Sequence, residues 1–184
     1  MAPAPILVVI GPSGSGKSSA VGTLAARGVL RLHPTWTTRP RRPDEQGDDG
    51  THRFVDDAAF DQLSARGFFL DTVELFGLPY RYGLPPIAAA GDGRVDAVML
   101  RAPLVERFQA VVTHRPSRVV QIEDGRERLR ARLEARATSP EDLAARLADN
   151  EAEVALGRRV ADVVLVNDAT LPQLADRLAR AVAA

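Results

Sequence analysis

Eight consecutive residues constrain this chain more than any others. Gly11-Pro12-Ser13-Gly14-Ser15-Gly16-Lys17-Ser18 fit the pattern G-x-x-x-x-G-K-[ST] at every fixed position. The pattern is short, so its meaning depends on what flanks it. Upstream, Ile6 to Ile10 is a continuous apolar run, as a strand buried on both faces requires. Downstream, Ser18 to Arg27 carries Val21, Leu24 and Ala25 at helical spacing and stops at Gly28, which suits a C-terminal cap. Strand, glycine loop and helix in that order let successive backbone N–H groups converge on an anion at a helix N-terminus. Lys17 is then expected to reach the β- and γ-phosphates of a nucleotide, and the Ser18 hydroxyl to ligate Mg²⁺. The residues expected to hold the nucleotide are Gly11, Ser13, Gly14, Ser15, Gly16, Lys17, Ser18 and Ser19.

Composition sharpens this reading. Of the 24 Lys plus Arg residues, Lys17 is the only lysine. Elsewhere the chain meets each need for positive charge with arginine. Here it uses a compact ammonium, a point charge that fits where a planar fork would clash. The rest of the composition excludes more than it identifies. Formal net charge is zero, so no overall basic field points to nucleic acid or a membrane surface. The absence of cysteine rules out disulfides and cysteine-based metal sites. The first residues lack a basic region and a long apolar segment, so neither a signal peptide nor an anchor is expected, and a cytoplasmic protein is.

The remaining chain alternates strand and helix patterns. Strands are expected over 29–33, 51–55, 68–74, 95–100, 118–122 and 162–166. Helices are expected from Asp56 to Arg66, Leu104 to Val112, Arg126 to Arg136, Pro140 to Leu156 and along Leu171, Leu174, Leu178 and Val182, with at most a short one over 87–90. The stretches from Thr35 to Gly50 and Phe76 to Pro86 read as loops kinked by proline. Alternation of this kind predicts an α/β fold with a parallel sheet and ligands at the strands' carboxyl ends.

Four further stretches, in order after the glycine loop, resemble the guanylate kinase family. Thr37-Thr38-Arg39-Pro40-Arg41-Arg42 is similar to the loop that holds the acceptor phosphate in that family. His52-Arg53-Phe54-Val55 falls where the family has Tyr-x-Phe-Val. Arg132-Leu133-x-x-Arg136, with Arg146 on the next helix, resembles the family's lid, and Asp162 to Asp168 its last strand and adenine-side loop. The resemblance spans nearly the whole chain. It implies a P-loop three-layer sandwich with a central parallel sheet (1–33, 87–123 and 147–184), an inserted acceptor-binding lobe (34–86) and a helical lid (124–146). It implies ATP and Mg²⁺ as donor and metal, Lys17, Arg132, Arg136 and Arg146 as catalytic residues, and Asn167 on the nucleotide. Thr35, Arg39, Arg42, His52, Glu74, Tyr80 and Tyr82 are the acceptor residues it implies.

The physical chemistry of these residues agrees with the resemblance. Two phosphorylated substrates crowd negative charge into one cleft, which arginines neutralise. Arg132 and Arg136 lie four apart, on one helix face, a spacing that also fits a solvated surface. Guanidinium forks at Arg39 and Arg42 suit bidentate phosphate binding. His52, Tyr80, Tyr82 and Trp36 fit either binding or packing.

Three departures from the family bear on the acceptor. Leu84 follows Gly83 where the family has a hydroxyl that reads guanine. The loop before it is about one residue longer. Val98-Met99-Leu100-Arg101-Ala102 replaces Ile-Asp-x-Gln-Gly, with no acidic residue in that stretch. GMP is the expected acceptor, through Glu74 on the guanine edge. Ribose 1,5-bisphosphate, or another phosphorylated metabolite, is the alternative. A nucleotide-hydrolysing switch and a non-catalytic binding module are weaker readings.

Overall fold

The computed structural model describes residues 4–41, 50–74, 80–88, 91–135 and 139–183. Strand β1 (Ile6–Ile10) is fully buried along its length, as its unbroken apolar run requires. It lies at the centre of a five-stranded sheet ordered β2-β7-β1-β8-β9, in which every pairing is parallel. The other strands are β2 (Leu30–Leu32), β7 (Val95–Met99), β8 (Ser117–Glu123) and β9 (Val163–Val166).

Because side chains alternate along a strand, β1 feeds two cores. Leu7 and Val9 pack with Leu24 of α1 (Lys17–Ala26) and Leu174 and Leu178 of α6 (Leu171–Ala183). Ile6, Val8 and Ile10 face Phe108 of α3 (Val105–Val111) and Leu156 and Val160 of α5 (Pro140–Val160). Helices therefore cover both faces, and the result is the expected three-layer α/β sandwich. Helix α4 (Arg126–Glu134) precedes α5.

Strands β2 and β7 are neighbours in the sheet although about sixty residues separate them. The chain between them leaves the core and builds a second, four-stranded sheet ordered β4-β3-β6-β5. Its members are β3 (Thr35–Thr37), β4 (His52–Phe54), β5 (Asp71–Glu74) and β6 (Arg81–Leu84). Helix α2 (Asp57–Ala65) starts at Asp56, whose carboxylate accepts from the Ala59 N–H at 2.7 Å, as expected of an N-cap. Phe60 of α2 stacks on Phe69 at 4.8 Å, and Trp36 meets Phe68 edge-on at 5.3 Å, so Trp36 is a packing residue of this sheet.

The structure departs from expectation in four places. Thr35–Thr37 and Arg81–Leu84 are strands, not kinked loop, since Thr37 and Tyr82 pair across them. The strand expected over 68–74 begins only at Asp71, and Ile87 and Ala88 are not helical. Helix α5 runs on to Val160, four residues past the expected end.

Candidate active site

A cavity of about 980 Å³ opens where β1, β7 and β9 end, with Gly11, Met99 to Arg101 and Asn167 on its wall. Its floor is the glycine loop. Gly11, Gly14 and Gly16 take φ of 133°, 84° and 93°, conformations that strain any residue with a Cβ. Gly16 caps α1 without a side-chain bond, and the first turn has no acidic residue. The positive end of that helix therefore faces the cavity unneutralised by a carboxylate of its own. Lys17 curls back over the loop, donating to the carbonyls of Gly11 at 2.6 Å and Pro12 at 2.8 Å. Ser13, Ser15, Ser18 and Ser19 line the same floor. The Ser15 hydroxyl is buried and has no hydrogen-bond partner among the described residues.

The arginines of the last third of the chain approach from one side. Arg132 of α4 donates to the Gly14 carbonyl and, at 2.8 Å, to Asp124. Arg128 pairs with the other oxygen of Asp124 at 2.7 Å. The Asp124 carboxylate has no exposed surface, so this fully buried anion holds the guanidinium groups of Arg128 and Arg132 beside the loop. It belongs to no motif, and its one sequence signal is the spacing of four residues to Arg128. Arg146 lines the cavity from α5, and Arg136 lies outside the described residues. Asn167 donates from its amide to the Ser15 carbonyl at 3.0 Å, which ties the end of β9 to the loop.

Opposite stand four of the expected acceptor residues. Arg39 is buried and has its guanidinium 5.2 Å from the centre of the Phe54 ring. Thr35 and His52 share a hydrogen bond of 2.8 Å, and the His52 ring meets Tyr82 edge-on. Thr35, Arg39, His52 and Tyr82 all line the cavity, whereas Glu74 and Tyr80 do not. The alternation of β5 explains Glu74: Asp71 and Val73 turn toward a small adjoining cavity of about 30 Å³, and Glu74 is exposed on the other face. Leu84 lines that small cavity and packs in the core with Ile87 and Val98. Arg42 lies outside the described residues.

The end of β7, which has no acidic residue of its own, meets carboxylates from α5. Arg101 binds Asp149 through two hydrogen bonds of 2.7 and 2.9 Å and Glu153 at 3.0 Å. Glu153 also accepts from the Ala102 N–H at 2.8 Å. Burial works against the Arg101 charge, but the hydrogen bond to Asp149 and the charges of Glu153 and Asp149 outweigh it and raise its pKa above the ordinary arginine value.

Among the described residues, no group of three or more His, Cys, Asp and Glu side chains could hold a metal ion. No helix among them is long and apolar enough to cross a membrane.

No family model matches the chain. It is 33% identical to the guanylate kinase of Alkalilimnicola ehrlichii, with 95% of this chain and 86% of that protein covered. It is 36% identical to that of Thermobifida fusca, over 99% of this chain and 92% of the relative. Among solved structures, guanylate kinase from Anaplasma phagocytophilum matches with a TM-score of 0.66 at 22% identity, covering 98% of this chain and 85% of that one, a likeness of fold. Identities of this size over nearly full length, together with a glycine loop facing Arg39 across one cavity, show that the chain belongs to the guanylate kinase family.

Proposed function

We propose that the protein transfers the γ-phosphoryl group of ATP to the phosphate of GMP. The observation that carries this reading is that one cavity is lined on one side by the glycine loop with Lys17 and on the other by Arg39, Thr35, His52 and Tyr82. The loop suits the donor: its positive-φ glycines and the open end of α1 favour a phosphate chain. Mg²⁺ keeps most of its ligands as water and phosphate oxygen, so Ser18 at the start of α1 is the protein group expected to hold it, where it would neutralise phosphate charge.

The chain's own task is to position two anions and to offset their charge. An acceptor phosphate oxygen attacks the γ-phosphorus, the bond to the β–γ bridging oxygen breaks, and ADP and GDP leave. The attacking oxygen is already anionic, so no strong base is required. Lys17, Arg132, Arg136 and Arg146 supply positive charge around the moving group. The guanidinium groups of Arg128 and Arg132 exchange Asp124 for donor phosphate as the lid segment (124–146) and the acceptor lobe (34–86) close and exclude water.

Arg39 and Arg42 hold the acceptor phosphate. Arg39→Ala should raise the half-saturation concentration of GMP by roughly 10- to 100-fold, the loss of one charge-assisted hydrogen bond. That of ATP should change little. An unchanged GMP response would remove Arg39 from the acceptor site. Leu84 offers only apolar contact and Glu74 stands at the exposed end of β5, so discrimination between bases should be loose. A coupled assay at saturating ATP-Mg with GMP, AMP and ribose 1,5-bisphosphate tests the acceptor. Turnover is expected with GMP, slower with AMP. Efficient turnover of the sugar bisphosphate with none of GMP would contradict the reading.

A further inference from the structure

Helix α5 touches the cavity at Arg146, Asp149, Asn150 and Glu153, which are spaced to share one helix face. Asp149 and Glu153 grip Arg101 at the end of β7. Asn150 does something different. Its Oδ1 accepts from the Ser13 N–H at 3.0 Å, and its Nδ2 donates to the Ser13 carbonyl at 3.2 Å. The residue is 6% exposed. A primary amide carries a donor and an acceptor in one plane, so it can pair with both polar groups of one backbone residue. Ser13 lies in the turn of the glycine loop, two residues after Gly11 and next to Gly14 at φ 84°. From the other side, Asn167 fixes the loop at the Ser15 carbonyl. The loop is thus held at two points by two amides from different elements.

We propose that Asn150 is a positioning residue for the donor: it sets the conformation of the loop at Ser13, and through it the aim of the N–H groups that follow. The inference rests on reading the loop as the donor-phosphate site. Removing the amide leaves two Ser13 backbone groups without their partner and frees the loop to sample other turns. Asn150→Asp keeps the shape and the acceptor for the Ser13 N–H. It loses the donor to the Ser13 carbonyl and sets a negative charge against the loop that must take an anion. A merely structural role would rank aspartate as milder than alanine, whereas a donor-positioning role ranks it as worse.

The test is binding of β,γ-methylene ATP with Mg²⁺ by titration calorimetry, with no acceptor present, and Michaelis constants for both substrates. Asn150→Ala should weaken analogue binding about tenfold, the size expected for buried groups losing their partners. Asn150→Asp should weaken it further, and the acceptor constant should stay within about twofold in both. Wild-type analogue affinity in Asn150→Asp, or equal losses for donor and acceptor that track a lowered melting temperature, would overturn the inference. If Asn150→Ala does not fold, the near-isosteric Asn150→Asp still gives the answer. Wild type failing to bind the analogue at all would sink the donor-site reading and this inference with it. Wild-type binding with unaffected variants would sink the inference alone.

Discussion

Replacing Lys17 by alanine or by arginine should lower turnover more than about 100-fold, equivalent to about 3 kcal/mol or more of transition-state stabilisation. The arginine variant is the informative one, because it keeps the charge. The Lys17 ammonium reaches carbonyls of Gly11 and Pro12 at 2.6 and 2.8 Å, inside the curve of the loop. A guanidinium is wider and planar, and its charge is spread over three nitrogens. It cannot occupy that position without displacing the loop or standing outside it. The chain uses arginine for all 23 of its other cationic side chains, the 24 Lys plus Arg less Lys17, so lysine here answers a steric need. The circular dichroism spectrum should stay that of wild type. Near-normal turnover in Lys17→Arg would refute the point-charge argument.

Gly11→Ala should be the most damaging small substitution for stability. A Cβ at Gly11 would fall 2.1 Å from the carbonyl oxygen of Ile122, on a backbone already at φ 133°. Ile122 belongs to β8, which is hydrogen-bonded to β1 on one side and β9 on the other and cannot withdraw. The left-handed strain and the overpacking together cost roughly 3 kcal/mol or more. For a chain of this size that should lower the melting temperature by about 10 °C, if the variant folds at all. Gly22→Ala is the control. It sits inside α1, where an added Cβ would meet nothing within 4 Å beyond the adjoining backbone of its own helix, and should be neutral or stabilising by up to about 1 kcal/mol. A thermal melt of Gly11→Ala within 2 °C of wild type would show that β8 yields, contrary to this account.

How much of this was legible in the sequence follows from which physical signals are local. The glycine loop was, because its requirements sit at fixed spacing in one stretch, and the strand and helix beside it form where expected. The three layers were too, since β1 feeds both cores by alternation alone. Only half of the second sheet was: β4 and β5 lie within expected strands. Its strands β3 and β6 are three and four residues long, lie close to Pro34, Pro40 and Pro85, and are defined by partners far away in the chain. Proline near so short a run reads as loop until the pairing is known. Glu74 illustrates the same point. Its type suits a guanine edge, but the face it occupies is set by the pairing of Val73 with Tyr82, which turns Asp71 and Val73 inward. Asn150 had no sequence signal, since it belongs to no motif and its partner, Ser13, is 137 residues away. Asp124 is four residues before Arg128 and eight before Arg132, but its complete burial, which makes it an anchor for both, is a property of the fold.

Phosphoryl transfer from ATP to the phosphate of GMP can be followed with ATP labelled in the γ-phosphoryl group, incubated with the protein, Mg²⁺ and GMP, with the products separated by chromatography. Label is expected in the β-phosphate of GDP, formed one for one with ADP and dependent on GMP. Label released as inorganic phosphate at a rate indifferent to GMP would contradict that transfer.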